Sequence, residues 1–237
     1  MLVLVCATRV SQEAFAAQTQ LGRCLPRLGE FMPFALRLYS GNSRPLGACY
    51  NAALDQAGAD DILVFMHDDV HIDDWMLGQR LTDAFAHFDV VGVAGNRRCQ
   101  PGQLAWYLQP PAPDGKGRVQ APWDSEYLSG SIVHLTPSNQ GLPAGQVSVY
   151  GPSPAEVALL DGVLIAARAS RLRESGVRFD PALGFHFYDL DFCRSARAAK
   201  LRLGTWPIAL SHASGGASIQ SDAWSRSREL YFRKWRQ

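Results

Sequence analysis

The feature that most constrains this chain is the unbroken apolar run Ile62-Leu63-Val64-Phe65-Met66, followed at once by His67-Asp68-Asp69. A run without polar alternation predicts a strand buried on both faces, as in a parallel sheet covered by helices. Ligands of such sheets bind beyond the carboxyl ends of the strands, so polar side chains stationed there face a cleft. Clustered Asp oxygens are the ligands that hard divalent cations prefer. The competing role for Asp at a strand end is to cap the next helix or satisfy turn amides.

The flanking sequence fits that sheet. Leu2 to Ala7 and Phe34 to Tyr39 read as strands, and a helix begins near Pro45, with Leu46, Cys49, Tyr50, Ala53, Leu54 and Ala57 on one face. Trp75 to Phe88 repeats the helical spacing, and Val90 to Ala94 reads as another buried strand. This alternation predicts parallel pairing with right-handed crossovers. Farther on come a long apolar strand from Val157 to Ala167 interrupted by Asp161-Gly162, a helix from Asp189 through Lys200, and a strand from Leu201 to Leu210 that leads to His212.

A chain of 237 residues, 47% of them apolar, can bury a core as one domain over residues 1–237. A net charge of +1 argues against disorder and against a nucleic-acid-coating protein, so no nucleic acid partner is expected. The five cysteines are scattered and lack CxxC spacing, which fits a reducing cytoplasm better than a disulfide framework or zinc site. The apolar start is short and lacks a basic leader region, and no stretch approaches the ~20 apolar residues that cross a bilayer. A Pro/Gly-rich excursion covers about residues 99–156, with nine of the fourteen prolines between Pro101 and Pro154. Excursions of this length are lids, binding loops or plain insertions.

Near the start of the later helix, Asp189 and Asp191 favour the positive end of the helix dipole, which makes capping their simplest role. Two positions along a helix lie about 200° apart, so both cannot face one cleft. Asp189 is the candidate for the cleft, and Asp191 helps hold the helix start.

Taken together, the order of motifs resembles the inverting family 2 glycosyltransferases of the GT-A fold. The segments that carry the resemblance are Asn42 through Ala53, Leu63 through Val70, Leu160 through Arg168, and Phe179-Asp180 through Tyr188-Asp189-Leu190-Asp191-Phe192-Cys193, with His212 and Gly215-Gly216 completing the order. They span roughly residues 2 to 216. The fold this implies is the α/β nucleotide-diphospho-sugar transferase fold, with a mostly parallel central sheet flanked by helices. The implied reaction moves a sugar from a nucleotide-sugar donor, a UDP-sugar favoured, to a saccharide or glycolipid acceptor hydroxyl with inversion, in surface polysaccharide or glycoconjugate assembly.

The resemblance also assigns roles. Asp69 matches the last Asp of an Asp-x-Asp motif that holds Mn²⁺ or Mg²⁺, and His212 matches a histidine that completes the metal or diphosphate site. Asp189 matches the general base, Arg44 and Asn51 match the loop and helix that approach the donor, and His67 and Asp68 stand on the donor side. Asp161 and Asp191 are supporting residues. Three departures mark this chain: His67 replaces the first Asp of the motif, Ser40-Gly41-Asn42 replaces an acidic residue, and Tyr188 replaces a common Glu. A His-x-Asp-Val version, as in His67 to Val70, occurs in a glycosyltransferase-like subgroup. Trp106, Tyr107, Trp123 and Tyr127 either stack on a sugar ring or pin the excursion down. The tail at about 222–237 carries five basic residues, two acidic ones and four aromatics. It packs on the sheet, closes over the diphosphate or rests as a peripheral contact on the inner face of an anionic membrane. The alternatives to a transferase are a catalytically silent GT-A domain that binds nucleotide or carbohydrate, and a nucleotidyltransferase.

Overall fold

A computed structural model describes residues 1–136, 144–213 and 221–236. Strand β1 (Leu2–Ala7) is followed by two helices, α1 (Gln12–Gln18) and α2 (Gln20–Gly29). Each starts at a hydroxyl cap, Ser11 accepting from the Ala14 amide at 3.3 Å and Thr19 from the Gly22 amide at 2.9 Å. Next come β2 (Ala35–Tyr39), α3 (Leu46–Gln56), β3 (Ile62–Met66), β4 (Val70–Ile72), α4 (Leu77–Ala84), β5 (Val90–Gly92) and β6 (Ala94–Asn96). The Pro-rich stretch carries the short pair β7 (Ala112–Pro113) and β8 (Val119–Gln120), then a long antiparallel pair, β9 (Leu128–Thr136) and β10 (Ala144–Gly151). The chain continues through β11 (Ala155–Val157), β12 (Leu159–Leu160), β13 (Leu164–Arg168), α5 (Ala169–Ser175), α6 (Tyr188–Ala198), β14 (Leu203–Thr205), β15 (Leu210–His212) and α7 (Asp222–Lys234).

The central sheet runs β11-β14-β5-β13-β3-β1-β2. Pairs β1–β2, β1–β3 and β5–β14 are parallel, whereas β13 is antiparallel to both β3 and β5 and β11 is antiparallel to β14. The strands of Ile62–Met66 and Val90–Gly92 therefore share a direction without touching, because β13 lies between them. The all-apolar Leu164-Ile165-Ala166-Ala167 suits that doubly covered place, and an apolar run has no feature that sets its direction. Helices cover the sheet through fully buried side chains such as Leu21 and Leu28 of α2, Cys49 and Leu54 of α3, and Phe192 and Cys193 of α6.

A second sheet, ordered β12-β6-β9-β15-β4 with β10 added to β9, crosses the far ends of these strands. The run from Val90 to Ala94 is divided between the sheets, Gly92 ending β5 in the first and Ala94 opening β6 in the second. Likewise the apolar stretch Val157 to Ala167 forms three strands, its break at Asp161-Gly162 held by the Asp161 carboxylate accepting from the Val163 amide at 3.0 Å.

The tail is α7, docked on the loop before α6. Tyr231 is buried, and the Phe187 ring lies 5.5, 5.2 and 6.4 Å from those of Trp224, Tyr231 and Phe232. Much of its aromatic content thus packs inward. The five cysteines are free, and among the described residues no helix is long and apolar enough to cross a membrane.

Candidate active site

Backbone pairing between the two sheets brings the first cluster together. His67 and Asp69 follow β3, and the β15–β4 ladder sets His212 opposite Val70, with the Ala213 amide donating to the Asp69 carbonyl at 2.9 Å. One ligand atom from each of His67, Asp69 and His212 lies within 4.8 Å of the other two. Asp69 Oδ1 and His212 Nε2 are buried 3.1 Å apart, yet neither makes an aligned hydrogen bond. Two orphaned buried atoms that converge without bonding are what a cation between them would satisfy. Two imidazoles and a carboxylate suit Mn²⁺, and with less preference Mg²⁺, which favours oxygen alone.

Tyr188 settles how His67 enters that cluster. Its hydroxyl donates to the Gly162 carbonyl at 3.0 Å, and its single proton is then spent. At 2.8 Å the oxygen must therefore accept from His67 Nε2–H, which leaves the Nδ1 lone pair on the side of Asp69, 3.9 Å from Oδ1. Burial pushes the His67 imidazole below its ordinary value, against the pull of the Asp69 charge, so the ring stays neutral. Burial opposes charge on His212 as well, but there the Asp69 contact prevails and raises it. Burial would raise the Asp69 carboxyl, yet His212 and His67 hold it below the ordinary carboxylate value. Gly162 has to be Gly, since a Cβ there would stand 2.1 Å from the Tyr188 hydroxyl.

Asp189 is the next residue along α6. Its Oδ1 accepts from the Leu190 amide at 2.9 Å and its Oδ2 from the Gly162 amide at 3.3 Å. Burial, reinforced by the Asp161 charge, pushes its carboxyl up to about 7. The helix start is strained, because Phe187 caps it in the left-handed region at φ 63°, where a bulky side chain is disfavoured. Asp191 faces the other way and is fully buried, its carboxylate accepting from Trp235 Nε1 at 2.8 Å and Lys234 Nζ at 2.9 Å.

The remaining sequence-derived candidates divide. Asp68 accepts from the Thr8 hydroxyl at the end of β1. Arg44 is exposed at the end of β2, its guanidinium 5.4 Å from the centre of the Tyr39 ring. Asn51 is engaged elsewhere: its Nδ2 donates to the Phe179 carbonyl at 2.8 Å and its Oδ1 accepts from the Phe179 amide at 3.0 Å. Gly47, one turn earlier, gives close approach to that same loop, its absent Cβ 3.1 Å from the Asp180 carbonyl oxygen. Gly215 and Gly216 lie outside the described residues. Sequence reasoning left two contributors without these parts, Tyr188 as the anchor of His67 and Lys234 with Trp235 as the partners of Asp191. Their only signals were a polar-capable aromatic beside Asp189 and a basic-aromatic pair near the carboxyl terminus.

Comparison with known proteins bears on this geometry. The model of the glycosyltransferase-like family matches residues 39–235. No curated protein matches the sequence. Among solved structures, GalNAc-T7 with UDP, GalNAc and Mn²⁺ is similar at 10% identity and a TM-score of 0.53, over 100% of this chain and 49% of that one. The chain thus spans about half the length of the GalNAc-T7 chain. The catalytic domain of Drosophila β1,4-galactosyltransferase 7 in complex with xylobiose aligns over 96% of this chain and 79% of that one, at 10% identity and a TM-score of 0.48. S. aureus TarS aligns over 98% and 72%, at 13% identity and a TM-score of 0.42. With its mixed α/β sheet flanked by helices, the chain has the GT-A fold, and it belongs to the glycosyltransferase-like family.

Proposed function

We propose that the chain transfers a sugar from a nucleotide-sugar donor, a UDP-sugar favoured, to an acceptor hydroxyl with inversion at the anomeric carbon. The observation that carries this reading is the convergence, at one end of the central sheet, of a His-Asp-His set, in which Asp69 Oδ1 and His212 Nε2 are orphaned, with a half-buried carboxyl pushed up to about 7. The family match supports the reaction class. UDP and Mn²⁺ in the GalNAc-T7 structure support the choice of nucleotide and metal.

Asp189 is the base in this reading. An alcohol must lose its proton as it attacks, and a carboxyl that titrates near neutral pH combines a populated anionic form with useful proton affinity. Burial, reinforced by the Asp161 charge, sets that affinity, and the Gly162 amide fixes the direction of the carboxylate. A single base suffices, since attack from the side opposite the departing diphosphate inverts the centre in one displacement. Asp68, held by Thr8, and Arg44, beside Tyr39, flank the donor's nucleoside end. A divalent cation held by His67, Asp69 and His212 would stabilise the charge gained by the leaving nucleoside diphosphate.

Replacing Asp189 with Asn tests the assignment. With UDP-glucose, UDP-galactose and their N-acetylhexosamine counterparts offered to a panel of saccharides, turnover is expected to fall ~10²–10⁴-fold while UDP binding persists. Proton NMR of the wild-type product should show the inverted anomer. Undiminished turnover in Asp189→Asn, or a retained anomer, would sink the mechanism.

A further inference from the structure

An aromatic cluster outside the groups just described borders the cleft. Trp106, in the Pro-rich stretch, is 6% exposed, and its carbonyl accepts from Asn96 and Gln103, so it is a core anchor. Tyr127 has one face covered by the Arg98 guanidinium, 3.7 Å from the ring centre. Trp123 differs from both, being 54% exposed, with its ring 5.1 Å from Tyr107 and stacked 6.2 Å from Tyr150.

That exposure is built rather than accidental. The next residue, Asp124, is 1% exposed and fixed by Asn96 and Arg98. Its amide donates to the Tyr107 carbonyl at 2.9 Å, and the Gln109 amide donates to the Pro122 carbonyl at 2.8 Å, so the backbone on both sides of Trp123 is tied down. A rigid mount lets an exposed indole bind without first being ordered. The platform also leads to the reaction centre: the Tyr150 hydroxyl pairs with His134 Nε2 at 3.0 Å, and the His134 ring is 6.5 Å from His212. Burial raises the Tyr107 and Tyr150 phenols, and the Asp161 charge raises both further.

We infer that Trp123, edged by Tyr107 and Tyr150, is the platform on which a pyranose ring of the acceptor stacks. A pyranose has an apolar C–H face and a rim of hydroxyls, and this patch matches it with an open indole face beside phenol and imidazole partners. A lipid chain or an apolar peptide would instead leave those polar rims unpaired. The inference rests on the transferase reading, to which it adds a carbohydrate acceptor bound from the side of the Pro-rich stretch.

The test uses saturation-transfer NMR on the full chain with a mixture of the methyl pyranosides of glucose, galactose, mannose and N-acetylglucosamine, alongside UDP titration in Mn²⁺. Wild type, Trp123→Ala, Trp123→Phe and, as a control at an exposed aromatic just past the end of α2 and beside Trp75, Phe31→Ala are compared. We expect at least one pyranoside to bind wild type, Trp123→Phe and Phe31→Ala, and to bind Trp123→Ala about tenfold more weakly, with UDP binding equal in all four. Equal pyranoside binding by Trp123→Ala overturns the platform, as does UDP binding with no pyranoside binding to wild type; either result leaves the transferase reading intact. Loss of both ligands from wild type overturns the two together. Pyranoside binding that needs the aromatic ring, in a chain that does not bind UDP, keeps the platform and removes the transferase.

Discussion

The Tyr188 hydroxyl takes one hydrogen bond and gives one, and with that it decides which nitrogen of His67 points at Asp69. Partners that orient a ligating imidazole typically contribute 10- to 100-fold in metal affinity. Tyr188→Phe is therefore expected to weaken Mn²⁺ binding by about that factor, measured by titration calorimetry, with an unchanged circular dichroism spectrum. Asp189 carries the pH dependence. Its folded value of about 7 lies above the ordinary 3.8, so the unfolded chain ionises first and the stability it contributes is lost as pH rises from about 4 to about 7. Asp189→Asn should accordingly melt above wild type at pH 8, with the gap closing toward pH 4. In wild type the acid limb of kcat/KM should fall near pH 7, and Asp161→Asn should move it lower by removing the second cause of the shift. A limb left in place by Asp161→Asn would remove Asp161 from this role. Asp69 and His212 were legible in the sequence because each sits at a strand end in a recognisable motif order. The Tyr188–His67 bond spans 121 positions and the Asn51–Phe179 pair spans 128, and no local pattern encodes either.

At the scale of elements, α7 steadies the helix that presents Asp189. Lys234 Nζ sits between Asp180 Oδ2 at 2.8 Å and Asp191 Oδ2 at 2.9 Å, while the α7 aromatics close around the strained Phe187 cap. Removing Lys234 leaves the Asp191 charge buried with only the Trp235 donor. Breaking a fully buried pair costs ~3–5 kcal/mol; Lys234 is 39% exposed, and solvent screening brings the expected loss for Lys234→Ala to about 2 kcal/mol. A lower urea midpoint at an unchanged slope would register it. The apolar runs revealed β1 and β3 to the residue, because burial on both faces leaves no alternation to misread. Helix α1 escaped notice because Phe15 is its one buried side chain, and α2 because Gly22 and Pro26 stand inside it and read as breakers despite the helical spacing of Leu21, Cys24 and Leu28. The prolines of the excursion hid β9 and β10, since a Pro-rich stretch reads as loop although neither Leu128–Thr136 nor Ala144–Gly151 contains a proline.

At the scale of the whole molecule, the site exists because two sheets meet. The end of β3 supplies His67, Asp68 and Asp69, the end of β1 supplies the Thr8 hydroxyl that holds Asp68, the β4–β15 ladder of the second sheet supplies His212, and the turn between β12 and β13 lays Asp161 and Gly162 against α6. The antiparallel insertion of β13 makes that last contact, and its direction was beyond sequence reading. The central claim is that this junction binds a nucleoside diphosphate through a metal held by Asp69 and the two histidines. Titration calorimetry of UDP and GDP in Mn²⁺ or in EDTA, on wild type and Asp69→Ala, tests it most directly. The account predicts Mn²⁺-dependent binding, to UDP in preference to GDP, that both EDTA and Asp69→Ala abolish. Nucleotide binding of equal strength in EDTA or in Asp69→Ala, or no binding under any of these conditions, would contradict it.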